Sequence, residues 1–209
     1  MSTVISFILK FLEEIIIFVI AYLLGNISPA MIISKIRKVD IRKEGSGNPG
    51  TTNVIRVLGL KDGLYTLLID MLKAFIAVRI GFSFLGSVGG MTAFAAVLLG
   101  RCFPVFYKFK GGKGVAAAFG AGLALTWPAA FAAFIIACIV LGITKKMSLG
   151  SIVAAIVFPP LVLFYTPEYF IFSIFVGVFL VIRHIPNIKR LKNAEEETLD
   201  IAAKIREMK

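Results

Sequence analysis

The sequence runs to 209 residues, of which 58% are hydrophobic, and its mean hydropathy is +0.91. A soluble domain carries about 45–50% apolar residues, so the surplus excludes a single water-soluble core and makes lipid the solvent. The net charge of +11 comes from 23 Lys+Arg against 12 Asp+Glu; in a membrane-embedded chain it marks cytoplasmic loops near anionic headgroups, and no nucleic-acid partner is expected.

The first apolar run covers residues 15–34 and stops at Lys35. Glu13 and Glu14 precede it where a signal peptide would carry positive charge, so a retained first helix is expected. Further apolar runs cover 64–80, 88–107, 115–143, 148–165 and 169–182, the last two divided by Thr166-Pro167-Glu168. Thr126-Trp127-Pro128 interrupts the run over 115–143, and proline breaks or starts helices. Splitting there gives helices over 114–126 and 128–143 and about seven spans. The basic segments 35–63, 101–113, 145–146 and 183–209 then fall on one side and hold 20 of the 23 Lys+Arg. That asymmetry predicts the N-terminus outside and the C-terminus inside. A helix over 114–126 reaches only ~20 Å against a hydrocarbon core of ~30 Å, so a short or partial span is expected there. A tail over 188–209 is expected to lie on the surface as an amphipathic helix. The fold class is an all-α polytopic membrane protein with one domain over residues 1–209. Cys102 and Cys138 are too few for a disulfide framework, and the single histidine, His184, argues against a zinc site. Neither a metal nor a cofactor is expected.

Three polar segments carry the chemistry. The first is Gly45-Ser46-Gly47-Asn48-Pro49-Gly50-Thr51-Thr52-Asn53, followed by Arg56. Its glycines free backbone amides to converge on an anion, and its hydroxyls and Asn side chains add donors. A helix starting near Thr51 turns its positive end the same way, and Arg56 supplies a planar fork for phosphate oxygens. The second is Phe103-Pro104-Val105-Phe106, then Lys108-Phe109-Lys110-Gly111-Gly112-Lys113-Gly114, where glycine amides beside Lys113 at a helix start read as an anion site. The third is Arg183-His184-Ile185-Pro186-Asn187-Ile188-Lys189-Arg190. His184 titrates near neutrality when unperturbed, and Asn187 follows three residues on. Asp70 and Lys73 form an i,i+3 pair inside an apolar helix, read equally as a structural pair or as part of the site.

Several readings fail on the residues. The first segment matches G-x-G-x-x-G, but no strand precedes it and Asp70 lies inside a helix, so it is not a dinucleotide site. Tyr107 and Gly114 occupy the places where a Walker loop needs glycine and Ser/Thr. Lys189 stands where an H-x4-D acyltransferase motif needs its acid. An anion transporter remains the alternative from another class, although no internal repeat supports it.

Ser46-Gly47-Asn48 through Asn53 with Arg56, Phe103-Pro104 with Lys110-Gly111-Gly112-Lys113-Gly114, and Arg183-His184 with Asn187 and Arg190-Leu191 together resemble the bacterial acyl-phosphate:glycerol-3-phosphate acyltransferases, the PlsY family. The resemblance spans nearly the whole chain. It implies transfer of a fatty acyl group from acyl phosphate to the 1-hydroxyl of glycerol 3-phosphate, giving lysophosphatidic acid and phosphate. It implies a monomeric multi-pass protein of the bacterial inner membrane with its site facing the cytoplasm. Catalytic roles follow for Ser46, His184 and Asn187, and substrate or phosphate binding for Gly47, Asn48, Asn53, Arg56, Lys110, Gly111, Gly112, Lys113 and Arg183. Glu196 matches an acidic position after the third motif. Arg101 stands where a histidine is usual, and Ala194 where a glycine is usual.

Overall fold

The computed structural model describes residues 2–201 and Ile205, and every regular element among them is helical. The chain divides into two units, Met1–Ser28 with Leu68–Leu125, and Pro29–Leu67 with Thr126–Lys209.

The first unit holds α1 (Ser2–Asn26), most of α4 (Leu60–Cys102) and α5 (Val115–Leu125). α4 is not one rod. Leu85 (φ −127°, ψ 23°) and Gly86 (φ 56°, ψ −140°) leave helical geometry and turn the chain back on itself. Gly86 supplies the positive φ that other residues resist. The two arms then approach so closely that a Cβ on Gly89 would lie 2.1 Å from the Gly81 carbonyl oxygen; small residues allow this kind of packing between membrane helices. The apolar runs over 64–80 and 88–107 are these two arms. α5 has 11 residues, about 16 Å of helix, and is short of a full span as expected.

The second unit holds α2 (Pro29–Ile36), α3 (Thr51–Leu58), the first turns of α4, α6 (Trp127–Thr144), α7 (Met147–Tyr165), α8 (Phe170–Arg183) and α9 (Ile185–Lys192). The break before α6 falls at Thr126 (φ −148°, ψ 67°), with Pro128 in the first turn, where its missing N–H is no loss. The expected single run over 15–34 is corrected: α1 ends at Asn26 and α2 begins at Pro29. Proline donates no N–H and disfavours helix in the residue before it, so Ser28-Pro29 separates what hydropathy joins. α6 packs on α7 and α7 on α8. The Thr126 and Thr166 hydroxyls meet at 2.5 Å and tie the starts of α6 and η-turn Pro167–Tyr169 together.

Leu60–Tyr107, Trp127–Thr144 and Met147–Tyr165 are long and apolar enough to cross a membrane, and α8 with α9, bent by 55°, makes a fourth candidate. Ile139, Ile156, Phe164 and Phe175 remain exposed on these helices, as lipid-facing side chains would be. The expected helix over 188–209 is corrected in its middle. α9 stops at Lys192 and residues 195–200 are non-helical, while Ile201 and Ile205 are helical; residues 202–204 and 206–209 lie outside the described part.

Candidate active site

In the second unit, the loop before α3 is built on a small core. Ala30, Ile41 and Val54 are buried against one another, with Met31, Val57 and Leu58 packed around them. Arg37 clamps the end of α2 to the start of α4, its Nε and Nη2 donating to the two Asp62 oxygens at 2.7 and 3.0 Å. Within this frame Asn53, fully buried, shapes the loop. Its amide donates to the carbonyls of Ile41 and Glu44, both at 3.0 Å, and its oxygen accepts from the Ser46 N–H at 2.9 Å. Gly45 (φ 55°) lies so near that a Cβ would stand 2.4 Å from that oxygen. Ser46, Gly47 and Asn48 are half-buried. α3 starts at Thr51 as expected, with no side-chain cap. The partly buried Thr51 hydroxyl has no hydrogen-bond partner among the described residues.

The third segment turns at His184, between α8 and α9. His184 is buried, and its Nδ1 lies 2.8 Å from the Leu180 carbonyl oxygen. A carbonyl only accepts, so Nδ1 carries the hydrogen and the neutral ring has its lone pair on Nε2. Arg183, in the last turn of α8, is partly buried. Asn187 is buried and donates to Glu196 Oε1 at 2.8 Å; Arg190 Nε donates to Glu196 Oε2 at 2.8 Å. The Asn187 side-chain oxygen has no partner among the described residues. Burial of Glu196 alone would push its pKa up. Hydrogen bonds from Arg190 and Asn187, with the polar Ser148 hydroxyl nearby, outweigh it and hold the carboxyl below the ordinary 4.5.

The tail then returns to α3. Arg56 Nη1 pairs with Glu197 Oε2 at 3.0 Å and Nη2 donates to the Glu197 carbonyl at 3.1 Å. Leu199 is buried with Ile55 and Leu60, its N–H bonded to the Lys145 carbonyl at 2.7 Å. Residues 196–199 thereby join the first and third segments, which lie far apart in sequence.

The second segment belongs to the first unit. Lys108 (φ 55°) and Phe109 (φ 60°) reverse the chain after a short 3-10 turn, Val105–Tyr107. The Gly111 and Gly112 amides donate at 3.2 Å to the carbonyls of Cys102 and Arg101. This differs from the expectation that those amides converge on an anion: α4 ends with unpaired carbonyls, and the two glycines satisfy them. Gly114 (φ 87°) has room for no side chain, since a Cβ would stand 2.4 Å from Leu98 Cδ1. α5 begins directly after it. Lys110 is exposed and Lys113 partly buried.

A family model described as "Glycerol-3-phosphate acyltransferase" matches residues 15–194. The chain belongs to the glycerol-3-phosphate acyltransferase family. This acyltransferase is 42% identical over 184 residues to a glycerol-3-phosphate acyltransferase of Thermoanaerobacter pseudethanolicus, covering 87% of this chain and 93% of the relative. A Haemophilus influenzae glycerol-3-phosphate acyltransferase is 41% identical over 181 residues, covering 85% and 90%. Two crystal structures of PlsY (YgiH), an integral membrane glycerol 3-phosphate acyltransferase, are similar. The glycerol 3-phosphate form has a TM-score of 0.85 at 34% identity, covering 91% of this chain and 97% of that one. The lysophosphatidic acid form has a TM-score of 0.83 at 34% identity, covering 90% and 95%.

In the acyltransferase, then, Ser46, Asn53, Arg56, His184, Asn187 and Glu196 lie in one unit and Lys110 to Gly114 in the other. Sequence reasoning missed Glu197 as the partner of Arg56, and Arg37 with Asp62 as the clamp beneath the loop. Nothing distinguishes Glu197 within Glu195-Glu196-Glu197 by sequence alone. Asp70 and Lys73 do pair, at 2.8 Å, and Arg101 joins them.

Proposed function

We propose that the chain transfers a fatty acyl group from acyl phosphate to the 1-hydroxyl of glycerol 3-phosphate, releasing phosphate and lysophosphatidic acid, with residues 1–209 acting as one catalytic domain. Membership of the family over residues 15–194, a range containing all three polar segments, carries this reading. The donor is already activated, so no covalent enzyme intermediate is needed. The glycerol oxygen attacks the acyl carbon, the bond from that carbon to the phosphate oxygen breaks, and phosphate leaves. The enzyme's tasks are orientation and neutralisation of developing charge.

Lys113 and the start of α5 neutralise the phosphate of glycerol 3-phosphate, with Lys110, Gly111 and Gly112 shaping the turn. Arg56, Ser46, Gly47 and Asn48 handle the phosphate of the donor, and Asn53 holds their loop. The unpartnered Thr51 hydroxyl, at the uncapped start of α3, supports an anion there. His184 Nε2 takes the hydroxyl proton, Arg183 adds positive charge, and the Asn187 oxygen or amide orients the reacting group. The protein works as a monomer in the bacterial inner membrane, crossing it seven times with the N-terminus out and these segments facing the cytoplasm; the 20 basic residues gathered on that side support this. Labelling of a cysteine at position 145 only from outside would sink the seven-span arrangement, because a single span over 115–143 carries that position to the outer face.

Purified protein in detergent, given glycerol 3-phosphate and acyl phosphate, is expected to form lysophosphatidic acid and phosphate in equal amounts. Acyl-CoA and acyl carrier protein, offered separately, test the donor. No product from any of the three donors would leave the transporter reading in its place.

A further inference from the structure

The first unit contains a buried charge cluster that the proposed chemistry does not use. Arg101, in the last turn of α4, is 3% exposed; Asp70 and Lys73, on the facing arm, are 1% and 8% exposed. Arg101 Nε donates to Asp70 Oδ2 at 2.8 Å, and Lys73 Nζ lies 2.8 Å from Asp70 Oδ1. Lys73 also donates to the Gly25 carbonyl at 3.1 Å and to the Ile27 carbonyl. The carboxylate is therefore held by both oxygens, and the guanidinium it holds is fixed with it.

That guanidinium lies against the glycine turn. A Cβ on Gly112 would stand 2.8 Å from Arg101 Nη1. The Arg101 carbonyl accepts the Gly112 N–H at 3.2 Å. One residue thus grips Gly112 through both its main chain and its side chain, and Lys113 is the next residue along. Two buried cations around one carboxylate also leave a net positive charge beside the turn. A well-packed apolar side chain would fill the same space without desolvating a charge, so packing alone does not account for Arg101.

We propose that Arg101 is a positioning residue for phosphate recognition. Held by Asp70, it fixes Gly112, and through Gly112 it sets the Lys110–Gly114 turn so that Lys113 meets the substrate phosphate with its geometry already formed. Preorganisation of this kind raises affinity by removing the ordering cost of binding. The proposal rests on the reading of Lys113 as a phosphate ligand.

The test is steady-state kinetics of purified enzyme, with glycerol 3-phosphate varied at saturating acyl phosphate. Arg101→Met and Gly112→Ala are expected to raise the KM for glycerol 3-phosphate tenfold or more while kcat stays within threefold, and Arg101→Lys to recover part of the loss. Arg101→Met leaves Asp70 with Lys73 alone and can cost folding. Gly112→Ala leaves the ion pairs whole and perturbs the same contact, because the pinned guanidinium has little room to yield. Arg101→Gln keeps a donor for Asp70 without the guanidinium against Gly112, and is expected to keep the raised KM in a protein that melts nearer the parent. A merely structural Arg101 lowers the yield of folded protein or kcat and leaves KM alone; unchanged KM in Gly112→Ala and in Arg101→Gln overturns the proposal. Lys113→Ala separates the two readings. If it leaves KM unchanged, the phosphate role of Lys113 falls and this proposal with it. If it raises KM while the Arg101 and Gly112 variants do not, only this proposal falls.

Discussion

Replacing Glu196 with alanine removes the acceptor for two side chains at once. Asn187, 2% exposed, donates to Oε1 at 2.8 Å, and its own oxygen already has no partner among the described residues. The variant leaves this buried amide with no bond shown in the structure, a cost of about 1–3 kcal/mol. Arg190 loses its bond to Oε2, but its side chain is 37% exposed and rehydrates, so this part is worth about 0–1 kcal/mol. The total of about 1–4 kcal/mol corresponds to a fall in melting midpoint of roughly 2–16 °C for a chain of this size. Thermal unfolding in detergent measures it. Turnover is expected to fall further than stability suggests, about 100-fold, because a small displacement of an orienting group is costly to the reaction. The pH dependence has a definite sign. The carboxyl is held below the ordinary 4.5, so its stabilisation is complete above that value and is lost as pH falls through the lowered folded value. Glu196→Gln is expected to lack this acid-limb loss, and to fall between parent and alanine variant at neutral pH because one amide oxygen replaces two acceptors. Equal melting of parent and Glu196→Ala at neutral pH, with equal turnover, would refute the reasoning.

Two substitutions at left-handed positions should act in opposite directions. Gly114→Ala forces a side chain into φ 87° and against Leu98, and is expected to lower the melting midpoint by the equivalent of at least about 1–2 kcal/mol. Ala194 already occupies φ 57°, so Ala194→Gly relieves a comparable strain, offset in part by the about 0.5–1 kcal/mol that glycine costs in the unfolded chain; a small rise in melting midpoint is expected. Asn53→Ala removes all three bonds that fold residues 41–46, and is expected to raise the KM for acyl phosphate more than that for glycerol 3-phosphate. Equal effects on both would argue against the loop serving the donor.

Much of the architecture is legible in the residues. Hydropathy located the two arms of α4 and the helices α6, α7 and α8, though not the start of α1 at Ser2, and Pro128 divided α5 from α6 because the local chemistry of proline does not depend on context. The start of α3 at Thr51 followed from the glycines and hydroxyls before it. The same logic was available at Ser28-Pro29, where the continuous hydropathy of the run from 15 to 34 masked it. The break between the runs over 64–80 and 88–107 was legible too, as the division between two spans. Its place at Leu85-Gly86, and the meeting of Gly81 with Gly89 across it, came only with the structure.

The site divides along the same line. Which residue types are suited to phosphate, and where along the chain they stand, is a local property and was legible without the fold: Ser46 to Arg56, Lys110 to Gly114, and Arg183 to Arg190. What each polar group is bonded to depends on which residues the packing brings beside it, some near and some far along the chain, and that came only with the fold. Gly111 and Gly112 turn their amides to the end of α4, Asn53 turns its amide to the loop, Arg56 finds Glu197 141 residues on, and Asp70 finds Arg101 31 residues on. A buried polar group must take whichever partner the packing brings within about 3 Å, and no pattern in the sequence encodes that distance.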